Sequence, residues 1–231
     1  MSDNSPQVKK PKNTKGAGIS FALLAGVLGL AVGAGLYAFS GGEDKSKTVV
    51  IANADENTET ACTIGNKLRQ RLKNVSTGQM AGFNLLDRPY SAANFKFQDK
   101  DGLPKTLADW QGRTVLLNLW ATWCPPCRAE MPSLDALQKE LGGENFEVVA
   151  ISIDKGSSDK PKKFFQKIKV ADLGFYHDPT MKTLLGLKKD GLAYGLPATL
   201  LINDQGCVLG LLNGPAEWDS EDAKGLIHTA L

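Results

Sequence analysis

The chain has 231 residues, with 27 Lys+Arg against 25 Asp+Glu, 42% apolar and 23% charged. That length suits one domain with attachments or two small ones, and the composition excludes collagen, bulk disorder and a polytopic membrane protein. Four cysteines are too few for a disulfide scaffold, and the near-neutral body of the chain argues against a nucleic-acid partner.

Residues 1–15 form a basic tail, carrying Lys9, Lys10, Lys12 and Lys15 against Asp3. Residues 16–40 hold no charge and are rich in Leu, Ala, Val and Gly. About 20 apolar residues suffice for a helix to cross the hydrocarbon core. The run therefore reads as a single transmembrane anchor in the lipid bilayer, with the lysines on the cytoplasmic side and the body exported. A cleaved signal peptide is the alternative. Its apolar region is shorter, about 7–15 residues, and the end Tyr37-Ala38-Phe39-Ser40 lacks a good small-x-small site. Gly29-x-x-x-Gly33 fits a helix-dimer contact, but Gly is common in membrane helices anyway. Residues 41–57 are polar and Gly-containing and read as a linker, leaving 58–231 as the folded domain.

Within it, residues 58–73 place Ala61, Ile64, Leu68 and Leu72 at helical spacing, with Cys62 near the start. Residues 114–120 (TVLLNLW) are nearly all apolar, as a strand covered on both faces should be. A helix is predicted from Cys124 to about Leu141, and a second buried strand over 146–154. Residues 158–170 bring Phe164, Phe165 and Ile168 to one helix face. Asp178-Pro179 reads as a helix start, Asp capping and Pro in the first position. Residues 198–203 form a strand, Asp204-Gln205-Gly206 turns it into 207–212, and 219–231 close the chain as a helix with Ala223, Leu226, Ile227, Ala230 and Leu231 on its apolar face. This order predicts an α/β fold, a mixed sheet covered by helices.

The chemistry concentrates in Trp123-Cys124-Pro125-Pro126-Cys127, between a buried strand and a helix. A helix N-terminus offers unpaired N–H groups and a positive dipole end, which favour a thiolate. Cys124, at the mouth, is expected to be exposed and nucleophilic. Cys127, one turn in, is shielded and able to resolve a mixed disulfide. The alternatives are a structural disulfide and half a zinc site. Zinc needs four ligands, and the chain offers only His177 and His228 besides, with no second C-x-x-C. Both histidines, and Trp110 and Trp218, read as structural or packing residues.

The stretch Asn118-Leu119-Trp120-Ala121-Thr122-Trp123-Cys124-Pro125-Pro126-Cys127 resembles the active-site strand and turn of thioredoxin-fold proteins. With the anchor and two extra cysteines, the chain is similar to the TlpA-like, membrane-tethered thiol:disulfide interchange branch of that family. Pro132 matches the kink of the family's active-site helix, and Gly195-Leu196-Pro197-Ala198-Thr199 matches the loop carrying its cis-proline. The likeness covers about residues 80–231 and implies a thioredoxin-like fold. It implies that Pro197 is cis, which X–Pro bonds tolerate at small cost, and that its edge receives the substrate peptide. The alternative is an ordinary Pro before an edge strand. The likeness also places Trp120 and Trp123 beside the site, with Trp123 on the docking surface. Cytosolic thioredoxins carry a buried Asp where this chain has Asn118. Glu130 matches a Glu that extracytoplasmic members hold near the dithiol, which makes it a candidate proton relay; a solvated helix Glu is the alternative. With the C-x-x-C paired, Cys62 and Cys207 remain as a second disulfide, as TlpA-like proteins carry; two buried free thiols are the alternative.

The resemblance implies a protein disulfide reductant with no cofactor beyond its cysteine pair and no metal. Its electrons come from a membrane thiol transporter. Its substrates are a copper-site assembly protein, a copper subunit of the terminal oxidase, or an apocytochrome. The expected location is the bacterial inner membrane, with the thioredoxin-like domain periplasmic. A disulfide-introducing oxidase is a second reading. A copper chaperone is a third, weakened because such carriers space their cysteines by three residues and add a histidine.

Overall fold

The computed structural model describes residues 62–231. The basic tail 1–15, the anchor at 16–40 and the linker 41–57 lie outside the described residues. Among those described, no helix is long and apolar enough to cross a membrane.

In chain order the elements are α1 (Asn66–Val75), β1 (Asn84–Leu85), β2 (Lys96–Gln98), β3 (Pro104–Thr106), β4 (Thr114–Trp120), α2 (Pro125–Leu141), β5 (Phe146–Ser152), α3 (Asp159–Ile168), β6 (Tyr176–His177), α4 (Lys182–Lys189), β7 (Ala198–Ile202), β8 (Val208–Asn213) and α5 (Glu221–Ala230). One mixed sheet runs in the order β1-β8-β7-β4-β5-β6-β2-β3. Its centre is β4, parallel to β5 and antiparallel to β7. Every residue of β4 and β7 is buried. Because strand side chains alternate between faces, both faces of the sheet must be covered, which is why these strands read as unbroken apolar runs. The fold is thioredoxin-like.

Several boundaries differ from the expectation. The first helix begins at Asn66, so Cys62 lies ahead of it; Leu72 is buried, with Ile64 and Leu68 packed against the core. β5 ends at Ser152, and Asp154 has left the strand. Asp178 does not cap a helix starting at Pro179. α4 starts at Lys182, after Met181 in the left-handed region at φ 57°. The Asp178 carboxylate instead accepts N–H groups from Thr180 and Thr183, both at 3.0 Å, and so organises the turn that precedes the helix. In α5, Ala223, Leu226 and Ile227 are buried as expected, but Leu231 is exposed. The short strands β1, β2, β3 and β6 had no sequence reading.

Candidate active site

β4 ends at Trp120 and delivers the chain to a turn that opens α2 with Cys124 as N-cap. Pro125 and Pro126 occupy the first helical positions. Their preset φ suits a helix start, and they remove two N–H groups that would otherwise lack intrahelical partners. The first N–H available at the mouth belongs to Cys127, and it donates to Cys124 Sγ at 3.3 Å. That bond and the helix dipole both favour negative charge on Cys124. The two sulfurs are joined, with Cα atoms 5.3 Å apart. The expectation of an exposed Cys124 is corrected: it is only 4% exposed, against 0% for Cys127. The joined sulfurs pack into the turn, and the surface above them is made by Trp123, 56% exposed, with Pro125 and Pro126 also exposed. Pro132 lies inside α2, where it leaves the Arg128 carbonyl without its helical N–H donor.

The Leu196–Pro197 peptide is cis. The β4–β7 register, with Leu119 opposite Ala198, brings Pro197 to the end of the sheet from which the cysteine turn departs. The Pro197 carbonyl accepts from Gly214 N at 3.0 Å.

One turn along α2 from Cys127 lies a buried polar group. Glu130, on α2, is 3% exposed, so the solvated alternative does not hold. Its Oε1 accepts from Asn118 Nδ2 at 2.8 Å. Its Oε2 accepts from Trp218 Nε1 at 3.1 Å and Ala216 N at 3.2 Å. Burial pushes its pKa up to about 7, the three N–H donors pulling the other way. Asn118, the departure from the acidic residue of cytosolic thioredoxins, sits opposite Thr199 in the sheet and donates to its Oγ1 at 2.9 Å. Asn118 Oδ1 is buried with no partner among the described residues. Trp218 is fully buried, as a packing residue should be, and is also a donor to the carboxylate, which its sequence position did not reveal.

A second carboxylate supports the turn. Asp154 is buried and accepts the Thr122 N–H at 2.9 Å, the Thr122 hydroxyl, and the Ser152 hydroxyl at 2.9 Å. Thr122 stands two residues before Cys124, so Asp154 fixes the approach to the nucleophile. An acid closing the apolar run 146–154 was the available signal for it. His177 is buried, with Nε2 2.7 Å from the Asp154 carbonyl. Among the described residues, no cluster of His, Cys, Asp and Glu is placed to hold a metal.

Cys62 and Cys207 form a second disulfide, with Cα atoms 5.1 Å apart across 145 residues of chain. Cys207 precedes β8 rather than opening it, and bridges to Ser91.

The Redoxin family model matches residues 90–227. The thioredoxin-like protein YneN of Bacillus subtilis is 34% identical over 118 residues, covering 51% of this chain and 66% of YneN, just under two thirds of its length. The thiol-disulfide oxidoreductase ResA of Bacillus subtilis is 30% identical over 138 residues, covering 58% of this chain and 72% of ResA. Among solved structures, a Chlorobium tepidum protein assigned as the thiol:disulfide interchange protein DsbE superposes with a TM-score of 0.53 at 31% identity, over 63% of this chain and 98% of that one.

Proposed function

The chain belongs to the Redoxin family, with the paired Cys124 and Cys127 of a thiol–disulfide oxidoreductase, and on that premise we propose that it works as a reductant of protein disulfides. The observation that carries the direction is Glu130, a buried carboxyl on the dithiol helix whose pKa lies near neutrality. Charged, it disfavours a second negative charge nearby and so opposes a very stable thiolate. An oxidant needs that thiolate, because it stabilises the reduced form and raises the potential. Pro125 and Pro126 add no cationic or hydrogen-bonding side chain to offset Glu130.

Cys124 thiolate, supported by the Cys127 N–H, attacks one sulfur of the substrate disulfide. A mixed disulfide forms, and the other substrate sulfur leaves as thiolate and takes a proton from water. Cys127 then gives its proton to the Glu130 carboxylate and attacks Cys124 Sγ. The Cys124–Cys127 bond forms, and the second substrate thiolate departs and takes the proton from Glu130, which returns to its carboxylate. The substrate gains two electrons and two protons, and the dithiol becomes the disulfide.

The anchor at 16–40 supports tethering to a bacterial inner membrane with the domain periplasmic, and recharging by a membrane thiol transporter. The likeness to the TlpA branch supports a copper-site assembly protein or an oxidase copper subunit as substrate, with an apocytochrome next. A Cys127→Ser variant tests this: it should hold the partner on Cys124 as a mixed disulfide, identified by mass spectrometry. A Cys124–Cys127 potential near −120 mV, the oxidant extreme, would overturn the reductant assignment.

A further inference from the structure

One flank of the active site is strongly cationic. Arg128, Lys155, Lys160, Lys163 and Lys167 are exposed, and among the described residues none forms an ion pair. They border two adjoining hollows that share Lys160. One, of about 370 Å³, lies between Thr122, Arg128, Lys163, Phe164 and Ile168. The other, of about 440 Å³, is bordered by Trp123, Lys155 and Met181. The floor is apolar: Phe164 and Ile168 from α3, Met181 in its left-handed conformation ahead of α4, and Trp123 from the cysteine turn. The Arg128 guanidinium lies 5.8 Å from the Phe164 ring centroid. α3 carries a single acid, Asp159, and Asp154 is the one acid lining the two hollows, so five cations face two carboxylates. The surrounding positive charge is therefore largely uncompensated, although the chain as a whole is close to neutral.

We propose that this groove docks the segment flanking the substrate's disulfide, and that this segment is acidic with an apolar side chain for the floor. The proposal rests on the reductant reading, which puts substrate beside Cys124. Thr122, Trp123 and Arg128 all lie within four residues of that sulfur, so whatever fills the groove is seated next to the reacting bond. A protein segment suits that position. An anionic lipid surface lying on the same cations would cover the turn and shut out the substrate. Complementary charge also raises the encounter rate and suppresses basic competitors.

The test uses the reduced full chain in neutral detergent and two disulfide peptides that differ only in carrying Asp-Asp or Lys-Lys beside the cysteine. The acidic peptide should oxidise the Cys124–Cys127 dithiol about tenfold faster at low salt, and the advantage should collapse near 1 M salt, where screening acts within about 3 Å. The triple variant K160E/K163E/K167E should reverse the preference while its rate with hydroxyethyl disulfide, small and uncharged, stays unchanged. Equal rates for the two peptides, or a preference that survives the triple variant, would overturn the proposal. So would a triple variant that loses binding to phosphatidylglycerol vesicles but keeps the peptide preference, which would assign the patch to lipid. A dithiol that fails to react even with hydroxyethyl disulfide would sink the redox reading instead. Fluorescence anisotropy of the same two peptides on the oxidised chain would then still decide the groove, tighter binding of the acidic peptide upholding it and equal binding overturning it.

Discussion

Trp218 and Glu130 meet across 88 residues of chain, the indole N–H donating to Oε2 at 3.1 Å. The contact ties the segment between β8 and α5 to the helix that carries the dithiol. All three contacts to the Glu130 carboxyl come from N–H donors. They suit the charged form, whereas burial favours the neutral one. A proton on Glu130 would find an acceptor if the Asn118 amide turned its unpartnered Oδ1 toward it. The protonation state of Glu130 and the orientation of Asn118 are thus linked.

Glu130 should titrate near pH 7, far from its ordinary 4.5. Its folded pKa is raised, so between 4.5 and 7 the folded state holds a proton that the unfolded state has released. Stability from this group is therefore greatest below pH 4.5, falls as the pH climbs to about 7, and is flat above, a loss of roughly 3 kcal/mol. Denaturant unfolding at pH 5 and pH 8, compared with Glu130→Gln, measures it. The variant should lose the slope between those two pH values, and an unchanged slope would refute the assignment.

Cys124 should react first. Its sulfur alone accepts an N–H at the helix mouth, and it is the less buried of the pair. Alkylation of the reduced protein at neutral pH should label Cys124 well before Cys127, with its thiolate appearing below the reference pKa of about 8.5. Faster labelling of Cys127 would reverse the roles.

The two disulfides should separate in a redox titration followed by mass spectrometry. The Cys124–Cys127 pair should equilibrate nearer −270 mV than −120 mV, while Cys62–Cys207, buried and remote from any thiolate, should require below about −300 mV. Converting both Cys62 and Cys207 to Ala should cost about 2–5 kcal/mol by the entropy of the loop released. Reduction of the remote pair first would show that it is not a structural bond.

Asp154→Ala should strip Thr122 of both its partners and leave a buried N–H unpaired, at about 1–3 kcal/mol. The dithiol should also exchange more slowly, because the approach to Cys124 loosens. Asp154→Asn, which keeps one acceptor, should fall between the two in melting temperature and rate. An exchange rate unaffected by Asp154→Ala would confine the residue to stability.

The central strands were legible because burial on both faces leaves a mark in the sequence: 114–120 reads as a strand from its apolar run alone, and β4 spans those residues. Cys124 and Cys127 stood out because the chemistry needs those residue types in one short turn, and Pro197 through the resemblance of its loop to the thioredoxin-fold family. Glu130's partners did not. Asn118, Ala216 and Trp218 are brought to it by the β4–β7 register and by the path of the chain between β8 and α5, and no local spacing encodes either. The short strands β1 and β6 have two residues each, below the length at which alternation can be read. At Asp178 the local reading was plausible and incomplete, since Met181 interposes a left-handed residue before α4.

The Cys62–Cys207 bond also sets the mechanical path through the molecule. Tension entering along the chain from residues upstream of Cys62 passes through sulfur into the turn ahead of β8, and so into the sheet, before it reaches α1. α1 is held only by its packing and by a few hydrogen bonds, such as those from Arg69 to the Leu86 carbonyl and the Asp87 carboxylate. With the bond intact, α1 lies off the line of force and cannot be peeled from the end. With it reduced, the same pull would unzip α1 first.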